Sequence, residues 1–162
     1  MKPTNIIGLA AAVFSLLFAY LFLQRYLGLV PCPLCILDRI VLAAMAAVFA
    51  AGLMVSSPRI QTLLLAVNSL LLASGLLVAG RHVWLQNQPF DESSSCLADS
   101  ETAQGLGELL SDAFGATSDC GIILWQLFGL SIPDLTLALF ALFFVPLLIG
   151  QGYAIARARP TS

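Results

Sequence analysis

Four stretches of this chain carry no charged residue: 6–23, 40–55, 63–80 and 135 to about 155. The first covers about 18 residues, roughly 27 Å of helix at about 1.5 Å per residue, close to a hydrocarbon core of about 30 Å. The second is shorter, and it reaches full length by extending back through Cys35, Ile36 and Leu37 with Asp38 and Arg39 at the interface. The pattern predicts an all-α, integral membrane four-helix bundle with spans at about 6–23, 36–55, 63–80 and 135–155. Two loops on one side, about 24–35 and 81–134, join them. Four spans leave no room for a separate soluble domain, so residues 1–162 read as a single membrane domain.

Polar and small residues inside the apolar stretches refine this picture. Span two is rich in small residues, from Ala43, Ala44, Ala46 and Ala47 to Ala50, Ala51 and Gly52. Such spacing lets helix backbones approach closely and predicts an inner position in the bundle. Asn68, Ser69 and Ser74 in span three are expected to face neighbouring helices, where their polar groups find partners. Pro146 removes one backbone hydrogen bond from span four and predicts a kink. The long second loop is polar from Asn87 to Gln104. Leu106, Leu109, Leu110, Ala113 and Phe114 then alternate with Glu108, Ser111 and Asp112, the periodicity of a short amphipathic helix in the membrane interface.

Composition agrees with the pattern. With 59% hydrophobic and 10% charged residues, the chain is not a soluble globular domain. No glycine-rich phosphate loop and no basic nucleic-acid patch is present. Lys2 precedes the first apolar stretch, but that stretch exceeds the usual signal-peptide core and no small-x-small cleavage site follows, so an uncleaved first span is expected. Basic residues favour one side only weakly: Lys2, Arg59, Arg157 and Arg159 against Arg25, Arg39 and Arg81. All four cysteines fall on the second side, and disulfide chemistry persists outside the cytoplasm. Both termini are therefore expected in the cytoplasm.

Two of those cysteines form Cys32-Pro33-Leu34-Cys35 at the start of span two; Cys96 and Cys120 lie in the long polar loop. Proline suits the first helical turn, which places Cys32 at the cap and Cys35 in that turn. Unpaired N–H groups there favour a thiolate. Arg39 follows Cys35 by four residues, on the same helical face, where its charge favours the Cys35 thiolate or holds an anionic ligand. Asp38 opposes that effect if it turns the same way.

Zinc is disfavoured because the second pair is not a C-x-x-C and the first lies at a membrane surface, so no metal is expected. Haem attachment requires C-x-x-C-H, and Ile36 follows here. Two structural disulfides in a membrane scaffold remain an alternative, although a two-residue ring is a poor staple. A redox relay, by contrast, needs a carrier for two electrons. The chain has no flavin or nicotinamide motif and no iron–sulfur spacing, which leaves a lipid-soluble quinone by elimination.

At these residues the chain resembles the disulfide bond formation protein B (DsbB) family, quinone-coupled oxidases of bacterial inner membranes that keep the periplasm oxidising. The matching stretches are Cys32-Pro-Leu-Cys-Ile-Leu-Asp-Arg39, His82-Val-Trp-Leu-Gln86, and Ser118-Asp-Cys120 with Trp125-Gln-Leu-Phe-Gly-Leu130. The similarity spans essentially the whole chain. It implies a membrane protein dithiol oxidase working with ubiquinone or menaquinone and with a periplasmic DsbA-like thioredoxin-fold partner. By that resemblance Cys96 is attacked by the reduced partner, Cys120 then attacks Cys32, and Cys35 is freed as a thiolate against the quinone. Arg39 and His82 resemble residues at the quinone site. Trp125 reads as an interfacial anchor. A reductase of the vitamin K epoxide reductase type is disfavoured, because there the loop pair precedes the C-x-x-C.

Overall fold

The computed structural model describes residues 2–29, 31–87 and 125–158. Cys96, Cys120 and the amphipathic segment expected at 106–114 lie outside them. Within the described residues, four helices are long and apolar enough to cross a membrane. The first is α1 (Lys2–Leu17), continued by a π-helical segment, Phe18–Tyr26. α2 (Pro33–Met54) and α3 (Pro58–Gln86) follow. The fourth crossing joins α4 (Ile132–Ala138), a second π-helical segment Leu139–Phe144, and α5 (Val145–Ala158). The chain is thus an all-α membrane bundle, with one small addition. A two-residue hairpin pairs β1 (Gln126–Leu127) with β2 (Leu130–Ser131), turning at Phe128 and Gly129.

Each helix begins where its sequence supplies a start. Pro33 and Pro58 occupy first-turn positions of α2 and α3, where a missing N–H costs nothing. α4 opens with a capping box, in which Ser131 accepts from Asp134 N while Asp134 accepts from Ser131 N. Both α2 and α3 run beyond the charge-free stretches, because helical hydrogen bonding does not stop at the edge of the hydrocarbon. In the fourth crossing, the π-helical segment ends two residues before Pro146, closed by Val145 N–H on Phe140 O. The helix accommodates the missing donor with a widened turn.

The alanine-rich second helix packs between α1 and α3. It is the most enclosed of the four: 39% of its most apolar window is buried, against 17–22% elsewhere. Fully buried Phe49, Phe140 and Phe144 fill the centre with Ala12 and Met45. Glycine admits these rings. A Cβ on Gly8 would stand 2.6 Å from Phe49 Cζ, and one on Gly75 would stand 2.7 Å from Phe140 Cζ.

At the end of the bundle that carries Lys2, buried amides bind the helices together. Gln151 Nε2 donates to Asn5 Oδ1 (2.9 Å), and Asn5 Nδ2 donates to Gln61 Oε1 (3.4 Å). Gln61 Nε2 donates in turn to Gly52 O (2.6 Å) and Val55 O (2.7 Å). Asn68 is buried as expected, but its Oδ1 has no hydrogen-bond partner among the described residues. The serines differ from expectation: Ser69 is exposed and donates to Leu65 O, and Ser74 donates to Leu71 O. A hydroxyl on a short side chain reaches its own helix backbone more readily than a neighbouring helix.

Candidate dithiol active site

The site lies at the other end of the bundle, where the first crossing ends, α2 begins, α3 ends and α4 begins. Cys32 is the N-cap of α2, with extended backbone (φ −72°, ψ 163°), and its Sγ accepts from Cys35 N at 3.4 Å. A thiol at this cap takes the place usually held by Ser or Asp. Cys35 sits in the first turn, and the two sulfurs are 3.1 Å apart, both as thiols. One sulfur hydrogen-bonds the other while a helix N–H points at the pair. That arrangement suits a single negative charge shared across both.

His82 comes from the last turns of α3. It is buried, and Nε2 lies 3.6 Å from Cys32 Sγ. The tautomer sets which atom donates. The helix also delivers Gln86, whose Oε1 accepts from Ser131 Oγ at 2.6 Å, tying the end of α3 to the start of α4.

Arg39 lies one turn into α2 beyond Cys35, and its guanidinium reaches the first helix. Nη1 donates to Gln24 Oε1 (2.7 Å) and Nη2 to Ala19 O (3.2 Å). Both acceptors belong to the π-helical segment, a form frequent at functional sites. The cation is thereby fixed beside the dithiol, held by another helix.

These residues share one pocket of about 270 Å³. Cys32, Cys35, Asp38, Arg39, His82 and Gln86 form its polar part; Leu23, Leu42, Leu139 and Trp125 help to form the apolar part. Phe14 lines it and is also 70% exposed, so the pocket reaches the outer surface of the bundle. Trp125 packs edge-on against Phe22, with centroids 6.0 Å apart, and so forms a wall of the pocket besides any anchoring role.

Asp38, which the sequence offers only as a charge opposing the Cys35 thiolate, is buried in this pocket. It is 5% exposed, and Oδ1 has no hydrogen-bond partner among the described residues. Its place three residues after Cys35 was the available signal. Gln24 and Gln86 were missed, although each is a lone amide at the edge of a charge-free stretch. The described residues bring together Cys32, Cys35, Arg39 and His82, four of the six site residues expected from sequence. Cys96 and Cys120 lie outside the description.

A helix-capping C-x-x-C, a buried histidine and an apolar pocket at one end of four membrane-crossing helices define a membrane thiol–disulfide protein. The chain belongs to the disulfide bond formation protein DsbB family, whose sequence profile matches residues 2–150. It is similar to "Disulfide bond formation protein B" of Psychrobacter cryohalolentis, 38% identical over 148 residues, covering 88% of this chain and 84% of that protein. The protein of the same name from Xanthomonas euvesicatoria is 36% identical over 163 residues, covering 97% of this chain and 91% of its own. That of Xylella fastidiosa is 38% identical over 144 residues, covering 83% and 82%. No solved structure matches the chain.

Proposed function

We propose that this protein is a quinone-dependent protein dithiol oxidase of the bacterial inner membrane. It reoxidises a periplasmic DsbA-like thioredoxin-fold protein and passes the electrons to ubiquinone or menaquinone. Both termini are cytoplasmic, and both cysteine loops are periplasmic. The observation that carries the reading is the placement of the Cys32–Cys35 dithiol on the wall of a largely apolar pocket that reaches the outer surface of the bundle.

The pocket fits a quinone head group. Its volume of about 270 Å³ falls just below the roughly 300–1,000 Å³ typical of small-molecule sites, and its lining is mainly apolar with a few convergent polar groups. Arg39, His82 and Cys35 would hold the ring, with Asp38 and Gln86 beside them. A bound quinone supplies an acceptor for two electrons and two protons.

The chain's own residues do the rest. Reduced partner attacks the Cys96–Cys120 disulfide at Cys96 and expels Cys120 as thiolate; the partner's second cysteine then displaces Cys96, leaving the partner's two cysteines oxidised. Cys120 then attacks Cys32 of the oxidised Cys32–Cys35 pair, and Cys35 leaves as thiolate facing the pocket; Cys96 next attacks Cys120, restoring the Cys96–Cys120 disulfide and releasing Cys32 as a thiol. The Cys35 N–H directed at Cys32 Sγ stabilises negative charge as sulfur–sulfur bonds exchange. His82 Nε2, 3.6 Å from the same sulfur, is within reach to take or return its proton. Asp38 Oδ1 can hold a second proton inside the pocket. Re-forming the Cys32–Cys35 disulfide releases two electrons and two protons, which balances the acceptor.

Trapping tests the order of transfer. In Cys120→Ala, which lacks the Cys120 thiol that would expel the partner, the Cys96 thiol should attack the disulfide of oxidised partner and accumulate as a mixed disulfide with it, seen on non-reducing gels and by peptide mapping. Cys96→Ala should form no such complex and should retain its Cys32–Cys35 disulfide. A partner joined instead to Cys32 or Cys35 would overturn the proposed order.

A further inference from the structure

Cys32, Cys35 and His82 form a donor set that the spacing of the four cysteines does not reveal. Their ligating atoms all lie within 4.8 Å of one another. Cys32 Sγ is 3.1 Å from Cys35 Sγ and 3.6 Å from His82 Nε2. In a tetrahedral zinc site with bonds of about 2.3 Å to sulfur and about 2.0–2.1 Å to nitrogen, ligand atoms stand roughly 3.5–3.8 Å apart. The sulfur–nitrogen distance already falls in that range, and the two sulfurs need to open by roughly 0.7 Å to reach it. The three ligands sit on α2 and α3, elements held by the bundle core, so the set is largely organised before an ion arrives. All three residues line the pocket, which has room for a water as fourth ligand.

Charge favours a divalent ion here. Two thiolates at the edge of a low-dielectric bundle are costly, and so is an isolated dication. Together with a neutral imidazole they sum to zero. We propose that the reduced Cys32–Cys35 pair and His82 bind one thiophilic divalent cation, with zinc as the type, in a redox-gated site. Binding moves no electrons: two S–H groups release their protons and two zinc–sulfur bonds form. The disulfide offers no thiolate, so the oxidised protein has no site. While the ion is bound, the sulfurs are unavailable for exchange, and zinc acts as an inhibitor of the reduced enzyme.

The test uses the full chain in detergent with Cys96→Ser and Cys120→Ser, leaving one dithiol. Reduced protein, freed of reductant under anaerobic conditions, is titrated with zinc against a chromophoric chelator. One zinc should bind per reduced chain and none after oxidation. His82→Gln should weaken binding roughly tenfold or more, at about 1.4 kcal/mol per decade, and His82→Cys, which restores a ligand, should recover it. X-ray absorption at the zinc edge needs no histidine variant: it should show two sulfurs near about 2.3 Å and imidazole nitrogen near about 2.0–2.1 Å. Any of four results overturns the proposal: no uptake by reduced protein, equal uptake by oxidised protein, unchanged affinity in a folded His82→Gln variant, or an edge spectrum without imidazole.

Discussion

Arg39 shows how a residue's role depends on contacts far along the chain. The sequence places its charge one helical turn after Cys35; the fold directs both terminal nitrogens to Gln24 and Ala19. A charge-assisted hydrogen bond is worth about 1.5–3 kcal/mol, so Arg39→Gln should slow the quinone-dependent step roughly 10- to 150-fold. Arg39→Lys keeps the charge but loses the planar fork, and should retain partial activity. Steady-state quinone reduction set beside single-turnover oxidation of the partner separates these effects. Equal losses in both would mean that Arg39 serves the fold rather than the pocket. At this scale, what was legible was local. Cys32 at the cap, Pro33 behind it and Cys35 in the first turn follow from four adjacent residues. The Cys32–His82 contact joins positions 50 residues apart, and no spacing rule reaches it. Asp38 was ambiguous because helix periodicity alone does not say whether the third residue after Cys35 turns toward the pocket or the lipid.

Among the elements, apolar stretches specified four helices because a lipid-facing segment must satisfy its backbone internally. They could not specify the hairpin at 126–131. Its strands are two residues each, and its turn puts Phe128 at φ 54° and Gly129 at φ 83°; only the glycine hints at it. The amide clamp was equally hidden, since Asn5, Gln61 and Gln151 come from three helices and meet only in the bundle. Gln61 is its hub, satisfying the carbonyls of Gly52 and Val55 at the end of α2. Gln61→Leu leaves those acceptors without their side-chain donor and should destabilise the bundle by about 1–3 kcal/mol. The dithiol end should keep its geometry. Thermal unfolding in detergent reads the loss, and an unchanged midpoint would show that the clamp contributes nothing to stability.

For the whole molecule, the four crossings place the dithiol, His82 and Trp125 at one end, with Lys2 and Arg157 at the other. The orientation proposed from the cysteines has a direct consequence. In intact spheroplasts, a membrane-impermeant thiol reagent should label reduced Cys96 and Cys120 without lysis. Labelling only after lysis would invert the topology and remove the oxidising compartment. The central claim is that electrons from a protein dithiol leave through Cys35 into a quinone. It is tested most directly by mixing the purified protein, reduced DsbA-like partner and a soluble quinone under anaerobic conditions, following quinone absorbance. One quinone should be reduced per partner oxidised, and Cys35→Ala should abolish the signal while mixed-disulfide formation at Cys96 persists. Quinone left oxidised by the wild-type protein, or reduced equally fast by Cys35→Ala, would contradict the account.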